Sequence, residues 1–201
     1  MIDTILSDLG KVLLDFDNGV FFRRLAERTG TPVGRIRQAA LEHTDLAVLF
    51  DRGALSPADF WKNAGELLGV HVAYEDFFAD YADIFAPRPG VLDLFRRLRP
   101  KYRMGLLSNT DVIRWSFIKR RFPEILMFDA YALSFDLGHI KPDAAVFRLA
   151  LELLEAEPAR VVFIDDLEAN VEAALRLGLA GIVCRPQTDL EAELGRMGVR
   201  P

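Results

Sequence analysis

The spacing of the apolar, β-branched segments is the feature that most restricts the fold of this chain. Five such segments are predicted to be buried parallel strands, at residues 2–6, 103–107, 130–133, 161–164 and 181–184. The later strands begin about 20 to 31 residues apart, as in βα units, whereas the first two begin about 100 residues apart. Roughly 70 residues between the first two strands are therefore surplus to a single βα unit.

Helical periodicity occupies most of the remaining chain. Apolar residues recur at three- and four-residue spacing over 111–122, 143–155 and 167–177, between the later strands. Strands that alternate with helices predict an α/β fold with a doubly wound, five-stranded parallel sheet of Rossmann-like type.

The surplus segment is predicted to contain helices only, over residues 20–28, 33–43, 56–68 and 74–85. The turn sequences Asp17-Asn18-Gly19 and Pro87-Arg88-Pro89-Gly90 bracket it. We therefore predict a core of residues 1–14 and 88–201, with a helical cap of residues 15–87 inserted after the first strand.

Charge and composition exclude several classes of function. The chain has 25 Lys and Arg against 30 Asp and Glu, a formal net charge of −5 without any like-charge run, which argues against nucleic-acid binding and polybasic membrane docking. No apolar stretch approaches the roughly 18 residues of a membrane span, and the Met1-Ile2-Asp3 start lacks the basic residues of a signal peptide. Cys184 is the only cysteine, so no internal disulfide forms. We expect a cytoplasmic protein, monomeric or homodimeric, with a small-molecule partner.

Polar residues follow four of the predicted strands at their carboxyl ends, where open α/β sheets bind ligands. In chain order they are Asp8, the Ser108-Asn109-Thr110 segment, Lys141 and the Asp165-Asp166 pair. Taken singly, each has an ordinary structural role as a turn residue, a helix cap or a solvated lysine. Adjacent carboxylates repel each other, however, and only one can cap the next helix, so the pair indicates a cation. Together these groups suit a divalent metal and a phosphate, which implies phosphoryl transfer.

Four ordered motifs resemble those of the haloacid dehalogenase-like (HAD) hydrolase superfamily, in its subclass with a helical cap. They are SDLGKVLLDFD at 7–17, LSNT at 107–110, GHIKPD at 138–143 and FIDDLEAN at 163–170. The first motif, and the segment at 51–56, are similar to the branch that includes α-D-glucose-1-phosphate phosphatases. The resemblance spans nearly the whole chain, and it implies a Mg²⁺-dependent phosphatase that acts on a small phosphorylated metabolite, with a sugar phosphate favoured.

The resemblance also implies roles for individual residues. Asp8 would be the nucleophile that takes the phosphoryl group as an aspartyl-phosphate. Ser108 and Asn109 would hold the phosphate, and Lys141 would bridge Asp8 and a phosphate oxygen.

The implied metal site lies on the same motifs. Mg²⁺ would bind the Asp8 carboxylate, the Gly10 carbonyl oxygen and Asp166, while Asp165 would orient a water molecule beside it. The motifs leave open which of the two adjacent acids contacts the metal directly. Cap side chains would set substrate specificity, and the candidates are Arg52, Phe50 and Tyr81.

Gly10 departs from the superfamily pattern, because its phosphatases usually carry there an aspartate that protonates the leaving group. The same branch often has this glycine, so the departure fits the resemblance. It leaves the general acid of the reaction unassigned. Asp15 and Asp17 are close in sequence, but a place in the cap linker suits them better. We therefore expect a preference for leaving groups that depart without a proton.

Other interpretations are also consistent with parts of the sequence. A metal-free haloacid dehalogenase would use the same nucleophile on carbon, although the Asp165-Asp166 pair would then have little purpose. A binding module without turnover is favoured by Gly10 alone. A phospho-accepting receiver domain is excluded by motif order, because receivers carry the acid pair on the first strand and lack a large helical insert.

Overall fold

The computed structural model describes residues 1–201, which form seven strands and eleven α-helices. The strands are β1 (Thr4–Ser7), β2 (Leu14–Phe16), β3 (Phe85–Pro87), β4 (Arg103–Ser108), β5 (Ala130–Leu133), β6 (Val161–Asp165) and β7 (Ala180–Val183). The helices are α1 (Asn18–Thr29), α2 (Val33–Glu42), α3 (Thr44–Asp51), α4 (Pro57–Leu68), α5 (Tyr74–Ala82), α6 (Pro89–Leu98), α7 (Val112–Arg121), α8 (Ser134–Leu137), α9 (Ala144–Leu153), α10 (Glu168–Arg176) and α11 (Leu190–Arg196).

Five strands form one parallel sheet in the order β5-β4-β1-β6-β7. The chain runs outward from β1 through β4 to β5 and then crosses back to β6 and β7. The carboxyl ends of β1, β4 and β6 therefore lie side by side at the switch point of the topology. This arrangement confirms the predicted doubly wound, five-stranded parallel sheet.

Alternate strand residues pack into two separate cores, one on each face of the sheet. Ile5 of β1 packs in a cluster with residues of α6, α7 and α11, whereas the next residue, Leu6, packs with residues of α9 and α10. Both faces are covered by helices, which accounts for the continuous apolar runs in the strands. Cys184 is buried within the first of these cores, and burial raises the pKa of its thiol, as suits a packing residue.

The insert contains five helices around its own aromatic core. Ring centroids of Phe50 and Phe60 are 4.2 Å apart in a stacked pair, and Phe21 meets Phe77 edge to face at 5.2 Å. One of the five helices, α3, was absent from the sequence prediction. None of the helices in the structure has the length and apolar composition that a membrane crossing requires.

The two chain segments that enter and leave the insert differ from the prediction. β2 and β3 pair as an antiparallel ribbon, with Asp15 opposite Ala86, where helices and turns were expected. Asp17 then caps α1 by accepting a hydrogen bond from the Gly19 N–H. The division into core residues 1–14 and 88–201 and cap residues 15–87 stays a prediction. Both predicted boundaries, at 14/15 and 87/88, lie in or beside the β2–β3 ribbon.

Candidate active site

The ammonium group of Lys141 is the centre of a buried cluster at the carboxyl edge of the sheet. Its Nζ donates to Asp8 Oδ1 at 2.6 Å, to Asp165 Oδ2 at 2.7 Å and to the Leu107 carbonyl oxygen at 3.0 Å. Lys141 is 4% exposed and Asp165 is fully buried. Because three acceptors use all three N–H donors, the lysine is held in one position between two carboxylates.

The backbone of Lys141 is held by Asn109. The Asn109 side chain accepts from the Lys141 N–H at 2.8 Å and donates to the Lys141 carbonyl oxygen at 3.1 Å. This pair of bonds joins the loop after β4 to the loop after α8. The expected role of Asn109 was to hold phosphate, and its amide group here positions the lysine loop.

Asp165 is saturated by protein donors. Its Oδ1 accepts from the Leu167 N–H at 2.8 Å, and the Asn170 amide donates to both of its oxygens at 3.0 Å. No side chain caps α10, so neither acid of the pair serves as its N-cap. Asn170 lies in the FIDDLEAN motif and had no expected role, although an asparagine on the apolar face of a helix is itself a signal for a buried acceptor.

Three carboxylates at this edge could hold one cation. Carboxylate oxygens of Asp8, Asp165 and Asp166 lie within 4.8 Å of one another. Asp166 is half-buried, and burial together with the charge of Asp165 raises its pKa. An oxygen-rich, negatively charged cluster of this kind fits Mg²⁺, and Asp166 is not engaged by Lys141 or Asn170 as Asp165 is.

Burial and charge act against each other on the central ion pair. Burial raises the pKa of Asp8 to about 6, although the attraction of Lys141 opposes the shift. Burial by itself would lower the pKa of Lys141, but the carboxylates of Asp8 and Asp165 outweigh it and the pKa is raised. The lysine is therefore a permanent cation, and Asp8 is a carboxylate at neutral pH.

Phe16 occupies the space beside Gly10, where the superfamily pattern would place an acid. A Cβ on Gly10 would lie 2.9 Å from Cε1 of the Phe16 ring and 3.9 Å from Asp8 Oδ2. Gly10 does not have a positive φ, so its backbone conformation is open to other residues. The ring, and not the backbone, is the obstacle to a larger side chain at this position.

The expected specificity residues of the cap are not all at the site. Arg52 is exposed at the end of α3. The pKa of Asp143, which caps α9, is lowered mainly by the hydrogen bonds from the Ala145 N–H and from His139, and Arg52 adds only a minor contribution. Phe50 and Tyr81 instead belong to the aromatic core of the cap. Phe50 is stacked on Phe60 inside this core, so its ring does not face a substrate as expected.

A close backbone contact joins the cap to the core near the site. The Ser134 hydroxyl donates to the Asp51 carbonyl oxygen at 2.5 Å and accepts from the Thr110 N–H at 2.9 Å. Gly53 follows with φ +68°, and a Cβ on it would overlap the Phe135 carbonyl oxygen. This position therefore requires glycine for its conformation and for the space it leaves.

We expect Gly53→Ala to lower the free energy of unfolding by about 2 to 4 kcal/mol. The alanine would be strained at a positive φ, and its Cβ would also overlap the Phe135 carbonyl oxygen. Urea unfolding measures the change. Gly30→Ala is the matched control, because Gly30 has φ +70° with no atom near its would-be Cβ, and it should cost only about 1 kcal/mol. Equal losses in the two variants would show that the contact with Phe135 has no effect on stability.

A second cap–core contact is built from buried charges. Asp111 caps α7 by accepting from the Ile113 and Arg114 N–H groups, and its other oxygen accepts from the Tyr81 hydroxyl at 2.8 Å. Arg114 lies 4.1 Å from the centre of the Tyr81 ring. Burial raises the pKa of Asp51 to about 7, Arg114 opposes this shift, and Asp111 reinforces it.

This shift predicts that Asp51 makes stability depend on pH. The native state holds the Asp51 proton more tightly than the unfolded chain, so the stability from this group is lost as pH rises from about 4 to about 7. Asp51→Asn should unfold like the wild type near pH 4 and be more stable at pH 8, by no more than roughly 4 kcal/mol. Urea unfolding of both proteins across this range is the measurement, and parallel curves would contradict the prediction.

The fold and the site together define a class of protein: a doubly wound α/β fold with helices inserted after its first strand, and a cluster of carboxylates around a buried lysine at the carboxyl edge of the sheet. The family model for haloacid dehalogenase-like hydrolases matches residues 2–178, and the chain belongs to this family. It is 28% identical to a D-ribitol-5-phosphate phosphatase of Bacteroides thetaiotaomicron, over 89% of each chain. It is 25% identical to a phosphorylated carbohydrates phosphatase of Thermotoga maritima, over 90% of this chain and 83% of the relative.

A solved structure agrees with these relatives. An enzyme of the same family from Bacteroides thetaiotaomicron, in complex with magnesium and inorganic phosphate, superposes with a TM-score of 0.86 at 26% identity. The match covers 96% of this chain and 99% of that one. The predicted family and the predicted fold are both confirmed.

Proposed function

We propose that the protein is a Mg²⁺-dependent phosphatase that hydrolyses a small phosphorylated metabolite through an aspartyl-phosphate on Asp8. The observation that carries the proposal is the Lys141 ammonium, bound by both Asp8 and Asp165 in a cluster of three carboxylates. Phosphate is a polyanion, and a buried lysine together with a metal ion held by the three carboxylates would neutralise its charge beside the Asp8 nucleophile.

The proposed reaction has two steps. In the first, Asp8 Oδ2, the oxygen that Lys141 does not bind, attacks phosphorus, and the bond from phosphorus to the leaving oxygen breaks with its electron pair on that oxygen. In the second, water attacks the phosphorus of the acyl phosphate, and inorganic phosphate leaves as the Asp8 carboxylate reforms. Lys141 stabilises the charge on the phosphoryl oxygens in both steps.

The residues that would hold Mg²⁺ are Asp8, Asp166 and the carbonyl oxygen of Gly10. When bound, the ion would neutralise the charge that builds up on the phosphoryl group. Asp165 would then act as a positioning residue, because Lys141, Asn170 and the Leu167 N–H already use its oxygens. Ser108, which is buried at the end of β4, would bind a phosphoryl oxygen.

A sugar phosphate is the proposed substrate class. Two relatives that match this chain along at least 83% of their own length act on D-ribitol 5-phosphate and on phosphorylated carbohydrates by their names. Arg52 would contact the substrate from the cap, at the rim that also carries Asp143.

Release of phosphate from a panel of phosphorylated sugars and polyols, nucleotides and a nitrophenyl ester tests the proposal. We expect turnover of at least the nitrophenyl ester and several sugar phosphates, and none of 2-chloropropionate. Chloride release from the chloro-acid without phosphatase activity would assign the protein to the dehalogenases. Binding of phosphate without turnover on any ester would leave the binding module as the function.

Gly10 predicts a strong preference among leaving groups. General acid catalysis contributes about 10² to 10⁴ in rate, and alkyl esters need it more than aryl esters do. We therefore expect kcat/KM on nitrophenyl phosphate to exceed that on a simple alkyl phosphate by roughly this factor. Similar values would mean that another residue donates the proton, and Asp15 and Asp17 would be tested next.

Restoring the acid should narrow this gap, provided that Phe16 makes room for it. Gly10→Asp alone forces the new side chain against the Phe16 ring, so we expect the gain only with Phe16→Ala in the same protein. Phe16→Ala alone is the control, and melting curves of all three variants show whether the fold is kept.

A further inference from the structure

Three segments of the cap meet the first turn of α7, which is a helix of the core. The Tyr81 hydroxyl of α5 donates to Asp111 Oδ2 at 2.8 Å, and the Arg114 guanidinium lies 4.1 Å from the Tyr81 ring centre. The same guanidinium donates to Asn18 Oδ1, at the start of α1, at 2.9 Å. The third segment is the end of α3, where Asp51 lies close enough to Arg114 and Asp111 for their charges to act on its carboxyl group. The latch cluster is the set Asp51, Tyr81, Asp111 and Arg114.

The latch cluster is electrically balanced only while Asp51 is neutral. Asp111 accepts from the Tyr81 hydroxyl and from two backbone N–H groups of α7, a set of donors that suits an ionised carboxylate. The Arg114 guanidinium, whose Nε is 3.8 Å from Asp111 Oδ2, supplies the one positive charge. An ionised Asp51 therefore adds a negative charge that no further cation in the cluster offsets.

The surroundings of the Asp51 carboxyl group disfavour its charged form. Asp51 is the last residue of α3, where the helix dipole is negative, and it is half-buried with its carbonyl oxygen bound by the Ser134 hydroxyl of the core. Burial raises the pKa of its carboxyl group, Arg114 opposes the rise, and Asp111 adds to it. No hydrogen bond to the carboxyl group compensates for the burial.

The other charged groups near α3 do not take part. Burial raises the pKa of Tyr81 well above its usual value, so its hydroxyl stays a donor. Two further helices, α4 and α8, pack against α3. Their charged residues are exposed and do not act on the Asp51 carboxyl group: Asp59, Lys62, Glu66 and Asp136.

We infer that the latch cluster holds the cap against the core while Asp51 is neutral and releases the cap when Asp51 is ionised. Lifting the cap returns the Asp51 carboxylate to water, which removes the cost of burying an unbalanced charge. It also breaks the hydrogen bonds of Tyr81 and Asn18, so the closed form is favoured whenever Asp51 carries its proton. The cap is therefore held in mildly acidic solution and released in alkaline solution.

Release of the cap acts on substrate binding, a consequence that rests on the proposed function. Arg52, the proposed substrate contact of the cap, directly follows Asp51 in the chain, so its position depends on whether the cap is held. Tyr81 and Arg114 are then positioning residues, because neither belongs to the cluster around Lys141. We expect KM to rise as the cap is released.

The distance between two spin labels measures the position of the cap without any turnover. Cys184 is buried, so the labels attach to cysteines introduced at exposed positions, Ala58→Cys in the cap and Glu152→Cys in the core. We expect the ratio of closed to open molecules to fall by roughly 10- to 30-fold between about pH 5.5 and about pH 8.5. This range follows from an Asp51 pKa of about 7 in the closed form and about 4 when hydrated.

Variants of the labelled protein assign the response to the latch cluster. Asp51→Asn keeps the cluster balanced and should give the closed distance at both pH values. Asp45→Asn is the matched control, because Asp45 is an exposed carboxylate in the first turn of the same helix, and it should respond like the wild type. Tyr81→Phe removes the hydrogen bond to Asp111 and should increase the open fraction at each pH while the response to pH persists.

The inference is overturned if neither the wild type nor Tyr81→Phe changes its distances with pH. It is also overturned if Asp51→Asn responds to pH as the wild type does, or if Asp45→Asn loses the response. Tyr81→Phe keeps the test decisive where the wild type is too firmly closed for its open form to be detected, because the variant weakens the closed form.

Kinetics on nitrophenyl phosphate in the unlabelled proteins test the proposed function separately. We expect the KM of the wild type, relative to that of Asp51→Asn, to rise by up to about 30-fold over the same pH range, with the ratio of their kcat values constant. A pH-dependent distance without any phosphatase activity would support the latch cluster and contradict the proposed function. Phosphatase turnover with distances that do not depend on pH would support the proposed function and contradict the latch cluster.

Discussion

Replacing Asp8 by asparagine is expected to lower phosphatase turnover by at least about 10⁴-fold, because the variant lacks the oxygen that attacks phosphorus. The fold should tolerate the change, since the asparagine is isosteric and uncharged in a buried position. Lys141 would keep its ion pair with Asp165 at 2.7 Å and its bond to the Leu107 carbonyl oxygen. Phosphate release, a melting curve and binding of inorganic phosphate are the measurements.

Asp136→Asn is the matched control for this variant. Asp136 begins a second Asp-Leu-Gly sequence, but it is exposed in the short helix α8 and belongs to no buried cluster. Beryllium fluoride, a mimic of the phosphoryl group, should raise the melting temperature of the wild type and of Asp136→Asn but not of Asp8→Asn. Near-normal turnover in Asp8→Asn would exclude the covalent mechanism.

Removal of the divalent metal is expected to have the second large effect, a loss of nearly all phosphatase activity in chelator that Mg²⁺ reverses. Three carboxylates lie within 4.8 Å of one another, and Lys141 supplies only one positive charge. A bound cation should therefore also stabilise the fold, by about 2.7 kcal/mol at 100 times its dissociation constant. The melting temperature with and without Mg²⁺ measures this separately from activity.

Asp166→Asn should lose most of the Mg²⁺-dependent rise in melting temperature. Asp15→Asn should keep it, because Asp15 is an exposed carboxylate on β2 outside the cluster. Full activity in chelator, or an equal response of the two variants to Mg²⁺, would contradict a metal site on these aspartates.

The strands and the core helices could be predicted because their signals are local. Ala130–Leu133 was predicted to the residue, and the other four strands of the sheet to within two residues at each end. The β2–β3 ribbon could not be found in this way, since its three-residue strands lie about 70 residues apart and neither has a pattern of its own. Helix α3 was missed because it follows α2 after a single residue, His43, with no capping side chain between them.

The sequence by itself determined the family, the sheet and the residues that converge at its carboxyl edge, because motif order and strand order are properties of the chain. Only the tertiary structure decided what each of these residues contacts. The Asn109 side-chain amide hydrogen-bonds to the Lys141 backbone, the Asn170 amide hydrogen-bonds to the Asp165 carboxylate, and the Phe16 ring fills the space beside Gly10. The hydrogen bond from the Arg114 guanidinium to Asn18 likewise joins residues nearly 100 positions apart. Such contacts depend on packing between distant segments, and local sequence patterns carry no information about them.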